Sequence, residues 1–355
     1  MRHPKKQGRS LVDVATEIQR QAQSKKDFIA STKQLAMLED GKTIAVENTG
    51  AFPVTDLALT QVGERTGIPA KYLRRMQTEA PELLASNVNH WFKEAPERRM
   101  VRTLDGNIRA FLSDRYMRVD NIDVAEAVLP VLQQTDGLRI ISSEVTEHRL
   151  YIKASSNLVR GEIKSRRIGD LVEAGVMIAN SEVGLGAIRV TPFAHFLACL
   201  NGMTREGGAR WNHIGRHADE KDDVYALLSD EAKQADDRAL LLKVRDTLKA
   251  ALDPERFQHW LQRVQSTTSN RIEGDVTKAV EVLSNKLALT NAETSSVLKH
   301  LIEGGDLSQY GLMNAVTRTA EDVHSYDRAS ELEAAGAAVL DLRPTEWREL
   351  AQQAA

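Results

Sequence analysis

The chain has 355 residues, 42% of them apolar, enough to bury a sizeable core and, at roughly 150 residues per domain, to form two or three domains. No run approaches the roughly eighteen apolar residues that cross a bilayer, and the basic first ten residues lead into no apolar stretch, so a cytoplasmic chain without a leader is expected. Cys199, the sole cysteine, excludes an intramolecular disulfide and a cysteine-based zinc site.

The net charge of −3 hides an asymmetry: residues 1–220 carry 31 Lys plus Arg against 27 Asp plus Glu, whereas residues 221–355 carry 16 against 23. Such a division suits an anionic partner for the first part, although ordinary surface variation produces it too.

In chain order, residues 1–35 are polar and basic with little periodicity and read as an arm or a short helix with no core of its own. A first strand is expected at residues 43–47. Residues 57–76 predict two short helices broken at Gly67, with Pro69 near the start of the second, and a third helix follows at about 81–92. Strands at 98–104 and 107–112 flank Asp105-Gly106, a dipeptide suited to the positive φ angles of a tight hairpin turn. A helix then runs from Asp120-Asn121 to about Gln134, with Pro130 as a kink or early stop. A second hairpin is predicted at 138–145 and 148–154, and further strands at 171–178 and 187–192. From Asp222 the pattern turns helical, in roughly five segments separated near Asp253, Gly274, Thr290 and Gly304-Gly305. The fold class is therefore α+β: a mixed or antiparallel sheet with hairpins and packed helices, then an all-helical C-terminal region. The expected domains are a basic arm (1–40), an α+β core (41–220) and an acidic helical region (221–355).

Strand alternation carries the functional reading. In the first hairpin Ile108, Ala110 and Leu112 share one face, leaving Arg109, Phe111 and Ser113 on the other. In the second, Leu150 and Ile152 face the core while Arg149, Tyr151 and Lys153 face away. Basic, aromatic, basic is a pattern that holds a phosphate backbone while a ring stacks on a base. The alternative is that a helix covers Phe111 and Tyr151 and that the cations snorkel at its rim. Around these strands lie Arg98, Arg99, Arg102, Arg109, Arg115 and Arg118, and then Arg149, Lys153, Arg160, Lys164, Arg166 and Arg167. Between Arg149 and Arg167 the only acid is Glu162, a local excess of the sign that phosphate binding requires. A solvated charged face is the competing reading.

Residues 60–76 also have the outline of a helix-turn-helix, which would offer Lys71, Arg74 and Arg75 to a duplex. Glu162-Ile163-Lys164 has the Glu-x-Lys spacing of a metal-dependent nuclease strand, with Asp136 or Glu144 as the second carboxylate. That tripeptide is common, and no apolar strand is evident around it. There is no Gly-x-x-x-x-Gly-Lys loop for ATP, and His195, His213 and His217 are not read as metal ligands, the last two, four apart with a glycine between them, falling in a loop, so no cofactor or metal is expected.

The stretch Arg109-Ala-Phe-Leu-Ser-Asp-Arg-Tyr116 followed by Asp120-Asn121 resembles a segment of the phage/plasmid-like family known as domain-of-unknown-function family 932. The run from Gly169 through Ala174 to Asn180-Ser-Glu-Val-Gly184, Val190 and Cys199-Leu-Asn-Gly-Met203 is similar to the same family; together these pieces span about residues 55–215. The resemblance implies a mobile-element protein working near recombination and single-stranded DNA intermediates. Joined to the hairpin faces and arginine clusters, it makes the leading expectation an ATP-independent single-stranded DNA binding or annealing protein, possessing a basic groove and assembling as a homo-oligomeric ring or filament. In that reading Arg109, Arg115, Arg149, Lys153, Arg166 and Arg167 hold phosphates, Phe111 and Tyr151 stack on bases, and Tyr116 lies with them. A metal-dependent nuclease and a protein-binding anti-defence factor are the alternatives, and the acidic C-terminal region is a docking surface, a shield for the groove, or simply a bundle.

Overall fold

The computed structural model describes residues 8–116, 118–164, 170–186, 188–197, 202–205, 208–211 and 229–352. Arg166, Arg167, Cys199, His213 and His217 lie outside them.

Residues 8–40 are built into the body rather than trailing from it. Ser10 caps helix α1 (Leu11–Ser24) by accepting from the Asp13 amide at 3.1 Å. Val14 and Ile18, one turn apart, are buried in the same core as α5 (Asn121–Gln134) and the sheet beneath it. The sequence carries this periodicity, with Leu11, Val14 and Ile18 at i, i+3 and i+7 on one face, so the segment is an amphipathic helix packed on the core and not an arm or a helix without one. Strand β1 (Lys26–Ser31) then pairs antiparallel with β5 (Arg98–Leu104), which forms the expected hairpin with β6 (Asn107–Ser113). Asp105 and Gly106 both take positive φ, 51° and 78°, as the turn demands. Strands β2 (Leu35–Met37), β3 (Thr43–Val46) and β4 (Gly50–Pro53) make a separate meander. Helices α2 (Asp56–Thr66), α3 (Ala70–Glu79) and α4 (Pro81–Glu94) bury Leu59, Val62, Leu73 and Phe92 with residues of both small sheets.

The central sheet is antiparallel, in the order β11 (Gly202–Thr204), β10 (Ile188–Phe196), β9 (Asp170–Asn180), β8 (Leu150–Ile163), β7 (Leu138–Val145), with β12 (Ala209–Trp211) also paired to β10. On one face Ile152, Val176, Ile178 and Val190 pack under α1, α5 and α6 (Asp230–Ala251). Farther along that face Ile163, Val172, Ala194 and Phe196 join α7 (Pro254–Thr267) and the C-terminal helices in one core. Those helices are α8 (Val276–Lys286), α9 (Asn291–Gly304), α10 (Gln309–Arg318), α11 (Tyr326–Leu340) and α12 (Pro344–Gln352). Their breaks near Asp253, Gly274, Thr290 and Gly305 fall where expected, and the helical region has two further breaks, before Tyr326 and before Pro344. Pro130 does not stop α5: it is on the helix's exposed side, where water can take the carbonyl that proline leaves without a donor. Among the described residues no helix is long and apolar enough to cross a membrane.

Candidate nucleic-acid interface

In the first hairpin the pairing register shifts between Arg102 and Thr103, whose partners are Ala110 and Ile108, so Arg109 is the extra residue of a β-bulge. The bulge breaks simple alternation. Ile108 and Phe111 both enter the core beneath α2 and α4, where Phe111 stacks on Phe92 at 5.8 Å, while Met100, Ala110 and Leu112 pack with Val183. Phe111, expected as an open stacking platform, is therefore 3% exposed. Arg99 is mostly covered, pairing with Glu97 at 2.7 Å and lying over the Phe111 ring, whereas Arg98 is exposed, 4.0 Å from Asp114.

Arg102 and Arg109 are buried as well, and their partners explain why. Arg102 bonds Asp27 (2.8 and 3.1 Å), Asp120 (2.5 Å) and the Glu182 carbonyl (2.8 Å), and Lys25 pairs with the same Asp120. Arg109 donates to the Glu182 carboxylate at 2.6 Å; the other oxygen of that carboxylate accepts from the Asn121 amide at 2.5 Å. Asn121 in turn accepts from Asn180, and the Tyr116 hydroxyl, half-buried, donates to the Ser181 carbonyl. Burial alone would raise Asp120, but Arg102 and Lys25 outweigh it and hold the carboxyl below its ordinary range. The residues around Asp120-Asn121 and the segment Asn180 to Gly184 thus converge on one buried polar clamp that fastens the β1–β5–β6 sheet to the central one. They are structural, with their charges already neutralised.

In the second hairpin alternation holds: Arg149, Tyr151 and Lys153 do share a face. That face is covered by α11. Tyr151 packs on Tyr326 and donates to Asp327 at 2.8 Å, and Lys153 donates to Glu333 at 2.5 Å while lying over the Tyr326 ring. Burial would pull the Lys153 amine down, yet Glu333 beside it outweighs this and keeps it charged. Tyr151 and Lys153, expected to meet a strand of nucleic acid, are 4% exposed each. Arg160, Glu162 and Lys164 are exposed at the far end of β8, which does extend through Glu162. Glu162, Asp136 and Glu144 do not gather; among the described residues no group of three or more His, Cys, Asp or Glu side chains is placed to hold a metal. In the α2–α3 pair, Arg74 is bound to Asp56 and Arg75 to Glu79, leaving Lys71 exposed.

A further set of arginines lies at or near the surface. Arg115 and Arg118 are exposed on either side of the segment that carries Tyr116. Arg149 donates to the Leu185 carbonyl and is half-buried. Beyond the N-terminal end of α11, the row Tyr151–Ala179–Arg189–Arg210 runs across β8, β9, β10 and β12 with the partners directly opposite one another. Cross-strand neighbours point to the same side, so Arg189 and Arg210 stand together, exposed, on the face that carries Arg149. Partial burial and then the like charges of Arg210 and Arg149 pull Arg189 down from its ordinary value. Unlike Arg102 and Arg109, Arg149, Arg189 and Arg210 have no carboxylate at ion-pair distance among the described residues; the nearby Asp327 is occupied by Thr146, His148 and Tyr151. Arg189 is legible in the sequence as the outward residue between Ile188 and Val190. Arg210 lies in a three-residue strand that leaves no periodic signal.

No family model, curated protein or solved structure matches the chain.

Proposed function

We propose that the protein is a cytoplasmic nucleic-acid-binding protein that holds phosphate backbones on Arg149, Arg189 and Arg210, with Arg115 and Arg118 extending the basic rim. The observation that carries this reading is the unneutralised pairing of Arg189 with Arg210 across adjacent strands. Like charges directly opposite destabilise a sheet, and an anion relieves the repulsion. Arginine also suits phosphate, through its planar fork of donors. The rings first expected to stack on bases are inside the protein, so binding is electrostatic and tolerant of sequence. Single-stranded DNA from recombination remains the substrate we favour, in keeping with the resemblance to a mobile-element family.

Fluorescence anisotropy of a labelled single-stranded oligonucleotide across a salt series tests this, with a duplex alongside. Binding should weaken as salt rises, and the Arg189→Glu, Arg210→Glu double variant should flatten the log–log slope by roughly 0.7 per lost phosphate contact. Binding that ignores salt, or a double variant that binds as wild type does, overturns the proposal.

A further inference from the structure

Helix α6 ends at Ala251 and α7 begins at Pro254, and the cleft beside them, lined also by Pro192 and Ala209, has a volume of about 920 Å³. Arg205 lies in its wall and is 6% exposed. Its Nε donates to the Phe193 carbonyl at 3.1 Å and its Nη2 to the Ala251 carbonyl at 3.0 Å. The guanidinium stands 5.1 Å from the Phe257 ring centre and 5.6 Å from that of Trp260. Among the described residues Nη1 has no hydrogen-bond partner and no carboxylate lies at ion-pair distance.

That makes Arg205 different from the other buried Lys and Arg side chains described. Arg102, Arg109 and Lys153 each face a carboxylate. The cavity under α11 likewise has its cations matched, Lys153 by Glu333 and Arg139 by Glu173. Around Arg205 the compensation is partial: the C-terminal end of α6 supplies about half a charge, and the rings add a cation–π attraction. A guanidinium taken out of water with half its charge unanswered leaves a strong local field, directed where Nη1 is free. Burial alone pulls its pKa down to about 10, so it stays charged at neutral pH. Arg256, His259 and Arg263 line the same cleft against Asp246 and Glu255, and Asp246 is engaged by Arg245 and Arg263 by Asp341.

We propose that this cleft binds a small phosphate-bearing ligand, its oxyanion taking the free donors of Arg205 Nη1 while its remaining charge faces Arg256 and His259. Arg205 would then be both the anchor of the α6 terminus and the floor of a ligand site. Ala209 lines the cleft and Arg210, next along β12, points to the other side of the sheet, so this site is separate from the arginine row.

Isothermal titration calorimetry of the full chain with inorganic phosphate, in chloride of matched ionic strength, reads the site directly. Saturable binding at one site is expected in the wild type, weakened roughly tenfold in Arg205→Lys, which loses the planar fork. Because Arg205 also caps α6, Ala250→Glu is the second variant: Ala250 is exposed on α6 and lines the cleft, so the new carboxylate supplies the missing countercharge without disturbing Arg205. It should abolish phosphate binding while preserving the fold, and the Arg189→Glu, Arg210→Glu variant should bind phosphate as wild type does. Absence of saturable binding in the wild type, or phosphate binding unchanged in Ala250→Glu, overturns the proposal.

Discussion

At the scale of single residues, charge pairing decides what each basic side chain can do. Glu293 shows the same logic in the C-terminal region: it closes the capping box of α9 with Thr290 and accepts two bonds from Arg328 of α11, at 2.7 and 2.9 Å. The Arg328 bonds lead, and with the Thr290 backbone they bring its carboxyl down to about 2 despite burial. A depressed carboxylate contributes stability above its unfolded pKa of about 4.3, and that contribution is lost as pH falls toward 2. Urea midpoints of wild type and Glu293→Gln should therefore differ at pH 6 and converge between about pH 4.5 and pH 2; a constant gap would show that Glu293 acts through shape alone. The Thr290-x-x-Glu293 signature is visible in the sequence, but Arg328 as its partner is not, because nothing local links positions 35 residues apart. The same limit misplaced Phe111 and Tyr151. Alternation assigned Tyr151 its face correctly and could not say that Asp327, 176 positions later, would cover it. For Phe111 even the face was wrong, since a bulge at Arg109 has no marker in the residue types around it.

Among elements, turn chemistry was the most legible feature because it is local. Gly67 ends α2 with φ of 71°, the left-handed cap expected of glycine, and nothing lies within 4 Å of where a Cβ would stand. Gly67→Ala should therefore cost about 1 kcal/mol from backbone strain alone, read as a lower urea midpoint with an unchanged slope. Gly63 works differently: its backbone is helical, but a Cβ there would overlap Leu73 Cδ1, so it is the close crossing of α2 and α3 that needs glycine. The two helices of this pair and the break at Gly67 were readable from the sequence. The use of the pair was not, and Arg74 and Arg75 turn out to be engaged within the protein.

Across the whole molecule, the helical region is not an appendage. Its core is continuous with Ile163, Val172, Ala194 and Phe196 of the central sheet, and α11 is fastened to the opposite face through Tyr326, Asp327 and Glu333. Lys153→Met alone leaves the half-buried Glu333 without its partner and should cost about 3 kcal/mol, whereas Lys153→Met with Glu333→Leu should recover most of it. Chemical denaturation of the two variants checks this; equal losses would mean that packing on Tyr326 matters more than charge. The division into core and acidic helical region followed composition, and composition says nothing of how much surface two regions share. The buried clamp has a consequence for the order in which the chain is made. Asp27 meets Arg102 75 positions later, and β1 has no partner until β5 exists. At about 5–20 residues per second, the ribosome leaves that strand and its acid without a mate for roughly 4–15 seconds. The N-terminal strand must therefore wait, edge open, until β5 emerges, and during translation it is a stretch of the nascent chain that a chaperone has reason to hold.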